Sequence, residues 1–430
     1  MLTGLVKARM RLGMLTLAML TAVAVAACGS SSSGSKGSGS STTSASSAVA
    51  STGNTEGCGT SVAVGPSNPS GVFASLPSEL KSIYASYPYA LEPSPWASHR
   101  FPKGPWKIGF IGFPSVNAYF VERLSALKSE FAAAKAKGFV TGSLVTSIPA
   151  SVSAMTPESQ ISAIEQMVRE GVNLILMEPA PGTGVSAAIE AAGKQGVPVV
   201  LADALMPQSK YAVPIWTQNF ASAEAGTLGL MQKGNLLVVR GVQGNTDDTA
   251  VYNQVVADLK KCPEIKLEGT VYGDYETATA KSVVQQFLAS HPQPLAGVIQ
   301  QGGMFPGVVL ALQSTGRSIP PIAEIEAGGG DLSWWLAHKS SYKTVGQSIN
   351  GTQAGYTFMN IALRILAGQQ PKFNVLEIPA PTINNENIAS FAPPGKELTW
   401  PGEPIGSKTA WCDTTCMNRY FAKPGGPSVP

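Results

Sequence analysis

From Trp106 onward the chain alternates between two rhythms, short unbroken apolar runs and longer stretches with helical spacing. Residues 106–113 (WKIGFIGF) form an apolar run bounded by Gly and Pro, which predicts a buried strand. Residues 117–137 follow with apolar side chains at helical spacing: Phe120, Leu124, Leu127 and Phe131. Residues 139–148 predict a strand. Thr156-Pro157-Glu158 opens a helix, with Thr as cap, Pro in the first turn and Glu beside the positive helix end. Ile161, Ile164, Met167 and Val168 make its apolar face, and Gly171 closes it. Strands are predicted at 172–177, 197–201 and 215–218, with a helix at 185–195 closed by Gly196.

The rhythm restarts at Asn235. Strands at 235–239, 268–272, 296–300, 321–326 and 343–346 alternate with helices at 250–261, 277–290, 308–315 and 332–338. One more helix (351–367) and one more strand (373–378) follow. Strictly alternating elements predict an α/β fold: two lobes, each a parallel sheet covered on both faces. Such lobes leave a cleft at the carboxyl ends of their strands.

Composition narrows the function. The 430 residues are 44% hydrophobic and 13% charged, enough to bury large cores. Of 30 basic and 27 acidic residues, Lys7, Arg9, Arg11, Lys36 and Glu56 precede Cys58, which leaves the body neutral. A neutral body lacks the clustered Lys and Arg that nucleic acid requires, so no nucleic-acid partner is expected. His99, His291 and His338 are too scattered for a His-rich metal site, and no metal or cofactor is expected.

Lys7, Arg9 and Arg11 precede the apolar run 12–27, the pattern of a secretory signal. The run ends Val25-Ala26-Ala27-Cys28-Gly29, which resembles the lipobox of bacterial lipoproteins. That resemblance implies cleavage before Cys28 and lipidation of its thiol. Residues 28–56, nearly all Ser, Gly, Thr and Ala after the Cys, read as a flexible tether. The expected location is the outer face of the cell membrane, lipid-anchored. Four further cysteines, Cys58, Cys262, Cys412 and Cys416, suit two disulfides in an exported chain, and their pairing stays open among three connectivities.

Five blocks carry a family resemblance: KIGFIGFPSVNAYF (107–120), GVNLILMEPA (171–180), GVPVVLADA (196–204), LAGVIQQGGMFPGVVLAL (295–312) and GQSINGTQAG (346–355). In this order they resemble ribose-type solute-binding proteins of ABC importers, of the periplasmic-binding-protein-like type I fold. The resemblance covers about residues 106–386. It implies two Rossmann-like lobes joined by a three-strand hinge and closing on a ligand like a clam. The N-lobe is expected at 106–218 with 349–374, and the C-lobe at 219–348 with 375–392. Residues 57–105 and 393–430 lie outside it, as an N-terminal arm and a C-terminal extension that wrap the body.

The resemblance also implies a site. Asn117, Tyr119 and Phe120 follow the first strand, and Asp203 ends the fourth, where the family binds sugar hydroxyls. Gln218 and Asn219 match a polar pair at the first hinge, Tyr275 an aromatic after the seventh strand, and Gln347 a Gln at the third hinge. Gln301 replaces an Asn after the eighth strand. Aromatic planes suit the C–H faces of a sugar, and amides and carboxylates suit its hydroxyl rim. Departures from the family weaken the match to a simple sugar, among them Gly302-Gly303 after Gln301 in place of an acidic pair. Asn245-Thr246-Asp247-Asp248-Thr249 stands where the family carries an Arg, and Glu326 or Ala327 replaces an Asp after the ninth strand.

Rival motifs lead elsewhere less well. Gly182-Thr-Gly184-Val-Ser-Ala187 matches GxGxxA with Asp203 about 20 residues on, as a dinucleotide fingerprint would. It sits on the third strand rather than the first, and so reads as an ordinary strand-to-helix turn. Nothing assembles a nucleophile, base and oxyanion site, so the chain is not expected to be an enzyme. The expectation is a monomeric solute receptor that captures a sugar or polyol and hands it to an ABC permease. Signalling to a membrane receptor, or binding of another polar metabolite, are the alternatives.

Overall fold

The computed structural model describes residues 57–427 apart from 64, 203, 207, 217–219, 348 and 407–409. The expected signal segment, Cys28 and the tether lie outside the described residues.

Two short helices, α1 (Val72–Ser75) and α2 (Ser78–Ile83), belong to the N-terminal arm. The first lobe then alternates β1 (Ile108–Ile111), α3 (Ala118–Ala136), β2 (Val145–Ser147), α4 (Pro157–Arg169), β3 (Leu174–Met177), α5 (Ser186–Lys194), β4 (Val199–Ala202) and β5 (Ala212–Trp216). The second lobe runs α6 (Phe220–Met231), β6 (Gly234–Arg240), α7 (Thr246–Leu259), β7 (Ile265–Tyr272), α8 (Thr277–Ser290), β8 (Leu295–Gln300), α9 (Phe305–Ser314), β9 (Ile322–Ala323), α10 (Gly329–His338) and β10 (Gly346–Gln347). The chain returns through α11 (Gly351–Leu366), β11 (Leu376–Glu377) and β12 (Thr382–Ile383), and a last short helix, α12 (Thr414–Met417), lies in the extension.

Local chemistry explains the boundaries. Asn117 caps α3 by accepting from Phe120 N–H. Thr156 and Ser159 form a reciprocal capping box at α4, with Pro157 in the first turn. The helix α8 spans the residues its spacing predicts. The sequence pattern misses α6, because its residues are apolar nearly all round and show no contrast at the 3.6 period.

The first lobe is built on a six-stranded sheet of order β11-β5-β4-β3-β1-β2, and the second on β7-β6-β8-β9. All their pairings are parallel, as unbroken apolar strands between helices require. A bridge from Glu324 to Gly346 continues the second sheet to β10, which pairs antiparallel with β12.

The return strand corrects the expected lobe boundary at 375. Leu376 and Glu377 pair with Ile215 and Trp216, so β11 completes the first sheet, and only β12 joins the second lobe. Burial decides this: Val375, Leu376 and Ile378 are at most 1% exposed against the first core.

Helix α11 lies against α3 at backbone distance. A Cβ at Gly355 would stand 2.7 Å from Ala126 Cβ and 2.9 Å from Arg123 O, so only glycine admits this approach. Full burial of side chains such as Leu127 and Phe358 beside it contributes roughly 1.5–3 kcal/mol each. The contact fixes the N-terminal turns of both helices at the edge of the cleft.

The terminal segments fasten the body. Cys58 is bonded to Cys262 and Cys412 to Cys416, which resolves the open pairing. Val62 N–H donates to Asp258 on α7 at 2.6 Å, while Tyr84 Oη donates to Val375 O at 2.8 Å and Trp96 Nε1 to Tyr211 O at 3.0 Å. The arm therefore touches both lobes. The extension holds α10 through Ser333 Oγ, which donates to Lys396 O at 3.0 Å, and holds α11 through Thr352 Oγ1, which donates to Glu403.

Candidate ligand-binding site

The strand ends of both lobes converge on one gap. From the first lobe come Phe113 after β1, Phe120 and Arg123 on α3, Glu178 after β3, and Ala202 and Ala204 around the end of β4. From the second come Asn245 and Asp247 at the start of α7, Tyr275 after β7, and Glu326 after β9. The gap holds only about 30 Å³, the space of roughly one water. The lobes meet across it: Asn117 Nδ2 donates to Tyr275 O at 2.8 Å, and Gly182 N–H to Gly244 O at 2.7 Å. This is a closed arrangement with aromatic rings in the middle.

Aromatic faces and one buried ion pair shape its floor. Phe113 stacks on Phe120 with centroids 4.4 Å apart, and Tyr275 stands edge-on to Phe113 at 6.1 Å across the cleft. The Arg123 guanidinium lies 5.1 Å from the Phe120 ring and 4.6 Å from Tyr119. Arg123 Nη2 pairs with Glu178 Oε1 at 2.5 Å, both side chains at most 6% exposed. Glu178 also accepts from Phe113 N–H at 2.6 Å, and Gln160 Nε2 donates to Glu178 O at 2.7 Å. Helices α3 and α4 and the loop after β1 are thereby fastened to the one residue Glu178, the first and last through its carboxylate and α4 through its backbone carbonyl.

On the opposite wall, Asp274 and Tyr275 both adopt left-handed backbone, φ 56° and 58°, and Glu326 does the same at 55°. Each such residue costs of order 1–3 kcal/mol and concentrates where a ligand is clamped. Tyr275 Oη donates to Asp247 Oδ2 at 3.5 Å, and burial holds its phenol well above its ordinary pKa.

The residues expected to form the site divide into four groups. Phe120 and Tyr275 line the gap. Asn117 bridges the lobes at its edge, while Tyr119 packs under Arg123 and borders a neighbouring cleft. Gln301 and Gln347 line neither space. Gln301 is 3% exposed, and its amide is occupied: Oε1 accepts from Gly241 N–H at 2.9 Å and Nε2 donates to Asp248 O at 3.1 Å. Gln347 is 1% exposed on β10, with Nε2 donating to Ser222 Oγ at 3.4 Å. Asp203, Gln218 and Asn219 lie outside the described residues.

Sequence reasoning passed over Phe113, Arg123 and Glu178. The signals were present. Arg123 stands three residues after Phe120 and four before Leu127, a charge on an apolar helical face. Glu178 directly follows the buried strand LILM. The Asp247-Asp248 pair also splits by role: Asp247 lines the gap, whereas Asp248 is held by Arg240 through Nε at 3.0 Å and Nη2 at 2.5 Å. Trp334 and Trp335 are core residues at 9% and 0% exposure.

Beside the gap, a second set of carboxyls is pushed out of its ordinary range. Burial raises Glu122 to about 8, with Glu403 adding to the shift, and burial raises Asp331 to about 7. A carboxyl whose folded-state pKa is raised keeps its proton longer when folded. Its contribution is complete below the unfolded value near 4 and is lost as pH climbs through 7 to 8. We expect the melting temperature to fall between pH 5 and pH 8.5, and Glu122→Gln to flatten that slope. Melts that are parallel in wild type and variant across this range would reject the assignment.

Comparisons with known proteins come to the same place. Residues 108–370 match the family model described as periplasmic binding protein domain. The chain is 25% identical over 247 residues to a ribose import binding protein from Bacillus subtilis (strain 168), covering 55% of this chain and 76% of that protein. It is 24% identical over 239 residues to a xylitol-binding protein from Mycolicibacterium smegmatis, covering 54% of this chain and 67% of that one. The crystal structure of an ABC transporter solute binding protein from Thermobispora bispora DSM 43833 shares the fold: TM-score 0.61 at 22% identity, over 76% of this chain and all of that one.

Proposed function

The chain belongs to the periplasmic binding protein domain family, and from that premise we propose that it is the extracytoplasmic receptor of an ABC importer for a sugar or polyol. The observation that carries this is that Phe113, Phe120 and Tyr275, with Arg123, Glu178, Asn245, Asp247 and Glu326, line the gap where the two lobes meet, a gap that must open to admit a sugar ring. Rings suit the C–H faces of a sugar, and the charged and amide groups suit its hydroxyl rim. The ribose and xylitol named for two relatives point to the same class. Asp203, between the lining residues Ala202 and Ala204, is proposed as a further hydroxyl acceptor, and Asn219 as a hinge-side contact. Gln301 and Gln347 serve to hold the loops in place.

Binding rather than bond-breaking is the chemistry. A ligand touching both lobes favours the closed state by its differential contacts, and the monomer delivers it to a permease. A thermal-shift series with D-ribose, xylitol and other pentoses and polyols tests the reading. A ligand at 100 times its Kd should stabilise the protein by about 2.7 kcal/mol. An unchanged melt with the whole series would count against a sugar or polyol receptor.

Anchoring through lipidated Cys28 is part of the proposal, supported by the lipobox pattern. Cys28→Ala should move the protein from the membrane fraction to the soluble exported fraction. Retention with no lipid mass on the mature N-terminus would remove the anchor from the account.

A further inference from the structure

The closed gap between the rings is not the largest space between the lobes. Next to it lies a cleft of about 370 Å³, within the range of small-molecule sites. Its walls are the start of α3 (Asn117, Glu122), the starts of α9 and α10 (Pro306, Asp331), Asn350 before α11, and residues 398–401 of the C-terminal extension. Glu326 lines both spaces, so the two are adjacent.

The extension supplies a built wall rather than a loose tail. Gly329 N–H donates to Gly402 O at 3.0 Å, and Lys396 N–H donates to Ser333 Oγ at 2.8 Å. A Cβ at Gly329 would strike the Trp400 ring, and so would one at Gly402. Two glycines therefore let the indole fold flat against α10, where Lys396 Nζ lies 4.9 Å from its centroid. Trp400 is half-buried, fixed in place, and borders the cleft together with Leu398 and Pro401.

We infer that this cleft is a second subsite, and that the ligand is a neutral glycoside whose second ring lies against Trp400. The inference rests on the sugar-receptor reading of the adjoining gap. Apolar side chains (Val116, Pro306, Leu398, Trp400) line it, while Ser115 and Thr399 bring hydroxyls. No Lys or Arg is among the residues that line the cleft, and Glu326 adds an acidic group, which disfavours phosphorylated or carboxylated ligands. The second ring is either another sugar or an aromatic aglycone; both present an apolar face.

Calorimetric titration with methyl β-D-xylopyranoside, phenyl β-D-xylopyranoside, xylobiose and D-ribose 5-phosphate tests it. In the wild type, phenyl xyloside or xylobiose should bind at least about tenfold more tightly than the methyl glycoside, and which of the two does so identifies the second ring. Trp400→Ala should erase that gain while leaving methyl xyloside within threefold; Trp400→Phe should keep most of it. Leu398→Ala, on the same segment, gives a milder second variant should Trp400→Ala fail to fold. Equal affinities for methyl and two-ring ligands, or tighter binding of the phosphate, overturn the subsite while leaving the sugar receptor standing. No binding of any sugar overturns both.

Discussion

Replacing Cys58 and Cys262 with Ser should cost about 5 kcal/mol of stability, and replacing Cys412 and Cys416 only about 2 kcal/mol, because chain-entropy loss grows with the loop that each bond closes. The first bond joins residues 204 apart in sequence, the second residues 4 apart. The first also ties the arm to the end of α7, where Val62 N–H meets Asp258 and Lys261 Nζ donates to Thr60 O at 3.4 Å. These polar contacts survive the substitution, so about 5 kcal/mol is an upper figure. Urea unfolding of the two double variants beside wild type measures the difference. Equal losses from both pairs would mean that loop length does not govern their contribution.

How far the sequence reached depended on contrast. Helices such as α8 and α4 are legible because apolar positions recur at 3.6, and at α4 a capping box marks the start as well. The helix α6 is not, since a segment surrounded by other elements needs no polar face. Strand β11 was legible as a strand but not as a member of the first sheet. That membership is a long-range pairing between Leu376 and Ile215, which no local signal encodes.

The site shows the same division. Phe120 and Tyr275 were expected from the family resemblance, and both line the gap. Gln301 looked equally available in sequence. Its position at the end of a buried strand hands its amide to Gly241 and Asp248 instead. The extension was legible only as Pro-rich chain outside the repeating pattern. Its role as a cleft wall follows from two close glycine contacts, and these appear only when residues 329 and 402 are brought together.

Removing Arg123 should have a large effect of a different kind. Arg123→Met leaves Glu178 buried at 5% exposure without its ion-pair partner, and breaking a buried pair costs about 3–5 kcal/mol. Glu178→Gln should cost a comparable amount, because it strands the buried Arg123 cation and one amide oxygen cannot replace both carboxylate oxygens toward Arg123 Nη2 and Phe113 N–H. Replacing both, as Arg123→Met with Glu178→Met, removes the stranded charge. Such exchanges are often neutral in stability, so the double variant should recover much of the loss. Ligand affinity should not recover with it, because Arg123 and Glu178 both line the gap and a methionine pair offers a sugar no hydrogen bonds. Unfolding and titration of the three variants separate these roles. A double variant that regains stability and binds sugar like wild type would show that the pair only holds α3 to the loop after β3. One that regains stability yet loses at least about tenfold in affinity places the pair in direct contact with the ligand.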